Sequence, residues 1–277
     1  MKLELGLFSY SYHLAFGAHE VFRPQVKMNL FEFMGRAAEM GLDGVQLDAA
    51  HLESTDDAYI DRLRSAAAEH GLYLEYGITG VDGAHLRRHL EIAARLEAAM
   101  MRTYLGFNPR EKSVIIKDEV EAAVRALDAV APQAQSLGVR IAVENHCDLT
   151  TDALLDLIQR VGSPSVGVCA DLGNFMIHLE NPVESVRKLA PFIINTHFKD
   201  YAFTMENWGF KAFGVALGDG MIDLQAILEI LVTESRLDRI MLEVPVEKEA
   251  TEDATLAKED DFVRRSVLYA RDVLGIR

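Results

Sequence analysis

The sequence predicts an α/β protein built as a single (β/α)8 TIM barrel, and three observations lead to this fold class. First, the chain has 277 residues, close to the ~250 that such a barrel typically needs. Second, short apolar, β-branched runs alternate with helical segments about eight times, as expected for a parallel sheet covered by helices. Third, four successive apolar runs in the second half each end in Glu, Asp or His. We therefore expect one barrel domain over residues 1–277.

The amino-acid composition and net charge indicate which kinds of molecule the protein binds. The chain is 49% hydrophobic and 26% charged, as in an ordinary packed enzyme, and its formal net charge is −15. Sequence-independent binding to nucleic acid depends on clustered Lys and Arg, so this charge disfavours it. We expect a small-molecule substrate and no nucleic-acid partner, and the sequence is compatible with a homo-oligomer.

Cysteine usage and hydropathy bear on the compartment. Cys147 and Cys169 form neither a disulfide framework nor a CxxC motif. The opening MKLELGLF already reads as a strand, so a signal peptide is not expected. No run approaches the ~18 apolar residues of a membrane span. These features predict a soluble, cytoplasmic protein without a membrane partner.

Capping and turn residues separate four predicted strands in the first half. Strand one, at 3–8, is followed by a polar and aromatic cluster, SYSYH. Asn29 and Glu32 have the spacing of a capping box that opens a helix, and Gly41 is positioned to end that helix. Strand two ends at Asp48. Strands are also predicted at 72–76 and 101–105, with helices at 56–70, 84–99 and 119–137.

The second half continues the alternation. Thr151, Asn181 and Asp223 are predicted to cap helices, and a closing helix is predicted at 259–273. The stretch 201–223 is the longest without strand or helix periodicity, which predicts a functional loop. Strands five to eight are predicted to end, in chain order, at Glu144, Asp171, His197 and Glu243.

Three carboxylates and one imidazole at four successive strand ends predict a metal site. The carboxyl ends of barrel strands meet at one mouth, so these side chains are expected to converge there. Oxygen-rich ligation with one imidazole favours a hard divalent ion, with Mn²⁺ as the first expectation and Mg²⁺ or Co²⁺ as alternatives. Four protein ligands on a six-coordinate ion leave two positions for adjacent substrate oxygens, an arrangement that suits a hydroxy-ketone.

The segments VENH, ADLGN, NTHFKD and LEVP resemble those of the xylose isomerase-like TIM barrel superfamily. Its sugar phosphate isomerase/epimerase group includes ketose 3-epimerases, inosose dehydratases, hydroxypyruvate isomerases and 3-dehydroshikimate dehydratases, with endonuclease IV more distant. The resemblance covers essentially the whole chain. It implies that the four strand-end residues are the metal ligands, and that Glu144 and Glu243 also face the reacting carbon as acid and base. Many relatives carry His three residues after the metal-binding Asp, where this chain has Asn174.

Five further residues are candidates for substrate binding. Lys199 lies two residues after His197 and should face the same side of its strand, although a salt bridge to Asp200 or Glu206 is an alternative. Asp48 either lines the pocket or anchors a loop. The full set of candidate substrate-binding residues is Lys199, His146, Asn174, Tyr10 and His13. Five other histidines are predicted to lie on the surface, namely His51, His70, His85, His89 and His178.

These features predict a divalent-metal-dependent isomerase or epimerase. It would act on a keto-sugar or related polyol ketone through a metal-stabilised enediolate, with Glu144 or Glu243 as general base. The alternative is a lyase, a dehydratase or decarboxylase, on an oxidised sugar or sugar acid. Asn174 raises this alternative because Asn cannot carry a proton near neutral pH as His can. A non-catalytic sugar-binding subunit and an abasic-site endonuclease are less favoured.

Overall fold

A closed parallel barrel forms the centre of the protein. The computed structural model describes residues 3–17 and 22–276. Within these residues, eight parallel strands close the barrel in sequence order, so that the first strand pairs with the second and the last. The predicted (β/α)8 fold is confirmed. The barrel strands are β1 (Glu4–Phe8), β2 (Gly44–Asp48), β3 (Tyr73–Gly77), β4 (Met100–Thr103), β5 (Arg140–Glu144), β6 (Val166–Asp171), β7 (Ile193–Phe198) and β10 (Arg239–Leu242).

Helices follow the strands and cover the outside of the barrel. The capping box of Asn29 and Glu32 is present, and Asn181 and Asp223 cap their helices as predicted. The cap predicted at Thr151 belongs to Thr150, whose side chain accepts the Ala153 N–H. The helices are α1 (Leu30–Glu39), α2 (Asp57–Glu69), α3 (Gly83–Arg95), α4 (Ile116–Leu137), α5 (Thr151–Val161), α6 (Pro182–Leu189), α7 (Leu224–Glu234) and α8 (Glu252–Asp272).

The prediction of an irregular loop at 201–223 is wrong for its first part. Strands β8 (Asp200–Glu206) and β9 (Gly209–Val215) form an antiparallel hairpin between β7 and α7. Exposure increases along both strands toward the turn and does not alternate between the two faces, so the hairpin lacks the apolar alternation of a half-buried strand. The hairpin projects from the carboxyl end of β7, where barrel enzymes carry their sites.

Apolar side chains fill the space between the strands and the helices in one large cluster. The inside of the barrel also contains polar side chains, of which Gln46, Glu75 and Asn195 are at most 2% exposed. Among the described helices, none is both long enough and apolar enough to cross a membrane.

Candidate metal centre and active site

Four neighbouring strands bring the predicted ligands to one point. Glu144 and Asp171 are the last residues of β5 and β6, His197 is the penultimate residue of β7, and Glu243 follows β10 directly. His197 Nδ1 is the centre of the group, 2.8 Å from Glu243 Oε2 and 3.7 Å from both Glu144 Oε2 and Asp171 Oδ2. All four side chains are buried. The structure therefore brings the four sequence-predicted ligands together.

The donor atoms of this cluster fit a divalent metal ion. Within the described part of the chain, Glu144 Oε2, Asp171 Oδ2 and His197 Nδ1 are buried and form no well-aligned hydrogen bond, and their near neighbours are the charged groups of Arg102, Lys199 and Glu243. One donor atom from each of Asp171, His197 and Glu243 lies within 4.8 Å of the others. Buried polar atoms without a well-aligned hydrogen bond are costly, and carboxylate oxygens with one imidazole are a ligand set that a hard divalent ion prefers.

The second oxygens of two carboxylates are held by hydrogen bonds. Asp171 Oδ1 accepts the backbone N–H groups of Gly173 and Asn174, each at 3.0 Å. Asn174 Nδ2 donates to Glu144 Oε1 at 3.0 Å. These bonds fix each carboxylate so that its other oxygen faces the centre. Asn174 thus contacts a predicted metal ligand as well as the cavity.

Lys199 is buried in the same cluster. Its Nζ lies 2.6 Å from Asp171 Oδ2 and 2.8 Å from Glu243 Oε1. Burial opposes the charged form of Lys199, but the carboxylates of Asp171 and Glu243 offset this and hold its pKa well above the usual value. Asp200, considered as an alternative partner, instead accepts backbone N–H groups of the loop before α7. In the metal-free protein, Lys199 is therefore a buried, charged group of the site.

A second buried cation, Arg102 on β4, was not identified from the sequence. Its Nε lies 3.1 Å from Glu144 Oε2 and its Nη2 lies 3.5 Å from Asp48 Oδ2. The guanidinium carbon is 4.7 Å from the centre of the Phe8 ring. Arg102 stands in the short run MMRT, which carries no motif. The available signal was a charged residue inside a strand predicted to be buried, which requires a partner.

The two glutamates differ in electrostatic environment. Burial raises the pKa of Glu144 to about 7, although Arg102 and His197 act in the opposite direction. Burial would also raise the pKa of Glu243, but Lys199 and His197 outweigh it and hold that pKa below its usual range. In the metal-free protein, Glu144 is thus the more basic carboxylate of the pair.

A cavity of about 260 Å³ opens onto this cluster at the mouth of the barrel. His146 stacks on Tyr104 with 4.0 Å between ring centres, and its pKa is lowered to about 4 by burial and by nearby Lys199. Among the described residues, His13 does not border the cavity and instead stacks behind Tyr10 at 4.9 Å. The wall includes four of the five predicted substrate-binding residues, Tyr10, His146, Asn174 and Lys199, together with Asp48, Arg102 and Tyr201.

A larger cavity, of about 930 Å³, lies at the other end of the barrel. Arg140, Val166 and Ile193, which begin β5, β6 and β7, are among its lining residues. None of the sequence-predicted site residues borders it within the described ranges. Catalytic residues of barrel enzymes lie at the carboxyl ends of strands, so the smaller cavity is the candidate site.

The prediction that five histidines lie on the surface is wrong for His51. This side chain is 8% exposed, with Nδ1 2.9 Å from Ser9 Oγ and its ring stacked on Phe16 at 4.0 Å between centres. The prediction relied on the sequence next to His51, whereas its stacking partner Phe16 is distant in the sequence and could not be recognised from that local pattern. His70 is exposed, whereas His85, His89 and His178 are half-buried.

Comparison with known proteins identifies the family and several relatives. The family model described as xylose isomerase-like TIM barrel matches residues 34–265. A 3-oxo-isoapionate decarboxylase of Pectobacterium atrosepticum is 30% identical over 245 residues, which are 87% of each chain. Structures of D-psicose 3-epimerase with D-tagatose from Clostridium cellulolyticum (TM-score 0.78, 16% identity, 98% of this chain and 99% of that one) and of the IolI protein with a zinc atom (TM-score 0.73, 16% identity, 99% and 98%) share the fold.

Proposed function

Because the chain belongs to the xylose isomerase-like TIM barrel family, as its strand-end motifs indicated, we propose that it is a divalent-metal-dependent enzyme acting on a keto-sugar acid. Its reaction passes through an enolate, and decarboxylation is the first candidate outcome. The ligands are Glu144, Asp171, His197 and Glu243. The substrate is a small polar molecule, in keeping with a cavity of about 260 Å³.

The observation that carries this proposal is the position of Lys199. Its ammonium group lies within 2.8 Å of both Asp171 Oδ2 and Glu243 Oε1, in a buried part of the site. A cation there stabilises negative charge that develops on substrate oxygens. It also holds Glu243, whose other oxygen faces His197 at 2.8 Å, in its ionised form. Such a site favours a reaction that requires stabilisation of negative charge on oxygen over a reaction that requires a strong base.

Decarboxylation of a 3-oxo acid meets these requirements. A divalent ion bound by the four ligands would act as a Lewis acid on the substrate carbonyl. The bond between the carboxylate carbon and its neighbouring carbon breaks, its electron pair passes into the ketone to form an enolate, and CO2 leaves. Lys199 stabilises the charge on oxygen, and Glu144 is the group assigned to return one proton to carbon. The name of the 3-oxo-isoapionate decarboxylase, at 30% identity, agrees with this substrate class.

The second candidate is epimerisation of a ketose. Glu144 ends β5 and Glu243 follows β10, on either side of the β6–β7 pair, and both border the cavity, so proton removal by one and return by the other is geometrically reasonable. Structural likeness to D-psicose 3-epimerase with D-tagatose also keeps this reaction under consideration. Asn174 weakens it, because an amide cannot transfer the proton that a histidine there could carry.

One experiment separates the candidates. Metal-reconstituted protein is incubated in D2O with a panel of 3-oxo sugar acids and ketoses, and products are followed by NMR and CO2 release. Release of CO2 with one deuterium at the carbon that lost the carboxylate supports the decarboxylase. Deuterium at an inverted carbon without CO2 supports the epimerase. No turnover and no exchange in fully metal-loaded protein would rule out both.

A Glu144→Gln variant tests the assigned proton transfer. Loss of a general acid or base typically lowers kcat by ~10²–10⁴, so a reduction in this range is expected, with Glu206→Gln on the exposed hairpin as the control. Metal content of both variants is measured in parallel because Glu144 is also a ligand. Wild-type turnover in Glu144→Gln would remove Glu144 from the mechanism.

A further inference from the structure

Directly beneath the metal ligands, three polar side chains occupy the inside of the barrel. Gln46 on β2, Glu75 on β3 and Asn195 on β7 are each at most 2% exposed. Barrel interiors are usually filled by branched apolar side chains, and a buried carboxylate is costly unless it is hydrogen-bonded. A polar layer at this depth therefore requires an explanation.

In this layer, the amide groups of Gln46 and Asn195 both donate hydrogen bonds to the Glu75 carboxylate. Glu75 Oε2 accepts from Gln46 Nε2 at 3.0 Å and from Asn195 Nδ2 at 2.7 Å. On its other side, Asn195 Oδ1 accepts from the Cys169 thiol at 3.3 Å. Gln46 and Glu75 are direct register partners on adjacent strands. Both amide nitrogens thus point at the carboxylate, which orients both amides.

The orientation of Gln46 determines what it presents to His197. With its nitrogen bound to Glu75, Gln46 places Oε1 2.9 Å from His197 Nε2. An amide oxygen only accepts hydrogen bonds, so Nε2 must carry the hydrogen. Turning the amide over would place Oε1 against the Glu75 carboxylate and lose the bond between them.

The other ring nitrogen then becomes the ligand. His197 Nδ1 faces the three carboxylates, 2.8 Å from Glu243 Oε2 and 3.7 Å from Glu144 Oε2 and Asp171 Oδ2. We infer that Gln46 and Glu75 are positioning residues that hold His197 in its Nε2–H form, so that Nδ1 is the metal-binding nitrogen. This inference rests on the metal centre of the proposed function, but it does not depend on the reaction catalysed. Second-layer hydrogen bonds of this kind fix the orientation and tautomer of ligating histidines.

The first test uses the unaltered protein. Protein labelled with ¹⁵N at histidine is titrated with Zn²⁺, a diamagnetic probe, and the two ring nitrogens of His197 are assigned by long-range ¹H–¹⁵N correlation, with His197→Gln identifying the signal. We expect Nε2 to keep its proton at saturation and Nδ1 to shift as the metal-bound nitrogen. Metal on Nε2 with a proton on Nδ1, or a ring that does not respond to Zn²⁺, would overturn the inference.

The second test compares two substitutions in the layer. Gln46→Met removes the acceptor while nearly keeping the side-chain length, and loss of a second-layer partner typically costs 10–100-fold in metal affinity. Glu75→Gln retains an amide oxygen that can accept from both Gln46 and Asn195, so its Mn²⁺ affinity should stay within a few-fold of wild type. Dissociation constants are measured by Mn²⁺ titration on protein shown to be folded by circular dichroism.

The results discriminate a positioning role from simple packing. If the layer only fills the barrel, folded Gln46→Met will lose thermal stability but bind Mn²⁺ as tightly as wild type, which contradicts the inference. If Gln46→Met does not fold, the Zn²⁺ titration of the unaltered protein decides. Protein that binds metal through Nδ1 but turns over no substrate would refute the proposed function and leave the positioning role intact.

Discussion

The Lys199 ammonium nitrogen lies 2.6 Å from Asp171 Oδ2, so a side-chain cation holds the oxygen that a metal ion at this centre would bind. Both groups are buried, and the same ammonium also contacts Glu243. A divalent ion and Lys199 therefore compete for these carboxylates. Because like charges repel, metal binding is expected to direct the ammonium toward the cavity, where substrate oxygens would lie.

Replacing Lys199 by Met should separate metal binding from turnover. Without the competing ammonium, Mn²⁺ affinity should equal or exceed that of wild type. The rate with an active substrate should fall by ~10²–10³, because a donor to the developing oxyanion is lost. Mn²⁺ titration and steady-state kinetics check the two effects, and Lys211→Met, at an exposed hairpin residue, is the control. Weaker Mn²⁺ binding in Lys199→Met would contradict the competition.

The ligand cluster predicts about one divalent ion per chain after loading with Mn²⁺. Asp171→Ala and His197→Ala should each lose most of the bound metal, since each removes a buried donor atom that faces the common centre. Elemental analysis after dialysis gives the stoichiometry, and circular dichroism checks that the barrel remains folded. Glu206→Ala serves as the control at an exposed carboxylate. Stoichiometry near zero in wild-type protein saturated with Mn²⁺ would refute the metal centre.

Arg102→Met should destabilise the metal-free protein. The substitution leaves Glu144 and Asp48 without the cation that now lies 3.1 and 3.5 Å from them. Breaking a buried ion pair on one side typically costs ~3–5 kcal/mol, and this loss should be measurable by urea unfolding. Added Mn²⁺ should restore part of it by supplying positive charge to Glu144. Arg264→Met is the comparison, because its exposed pair with Asp260 falls in a class that contributes ~0–1 kcal/mol. Equal losses in both variants would contradict the role of Arg102.

Glu259 on α8 should make stability depend on pH away from the metal centre. Its oxygens accept the Leu14 and Ala15 backbone N–H groups, and burial raises its pKa from 4.5 to about 7. The folded state then binds more protons than the unfolded state between these values, so this contribution is fully present below pH 4.5 and is lost as pH rises to about 7. Urea unfolding at several pH values measures the trend.

Glu259→Gln removes that titration and provides the control. It should be less stable than wild type at pH 5, because its amide nitrogen meets a backbone N–H group. The difference from wild type should shrink toward pH 7, since only the wild type loses stability over this range. A constant difference across the range would show that Glu259 does not titrate there.

Local sequence patterns were sufficient for the barrel and for the placement of its strand-end residues. Burial on both faces makes a barrel strand a short apolar run, and the residue that ends the run reaches the mouth. Glu144, Asp171, His197 and Glu243 could therefore be assigned to one end of the fold. The exposed hairpin β8–β9 could not be recognised, because neither of its faces packs against the core in a regular alternation.

By itself, the sequence determined the fold class, the family resemblance and the four residues that converge at the mouth, since these depend on periodicity and on where each strand ends. Only the tertiary structure decided that Lys199 pairs with Asp171 and Glu243, that Arg102 joins the site, and that Gln46 contacts His197. The physical reason is that these contacts cross the inside of the barrel. Gln46 and His197 are 151 residues apart in the chain, and no local pattern specifies which side chains on opposite walls come within hydrogen-bonding distance.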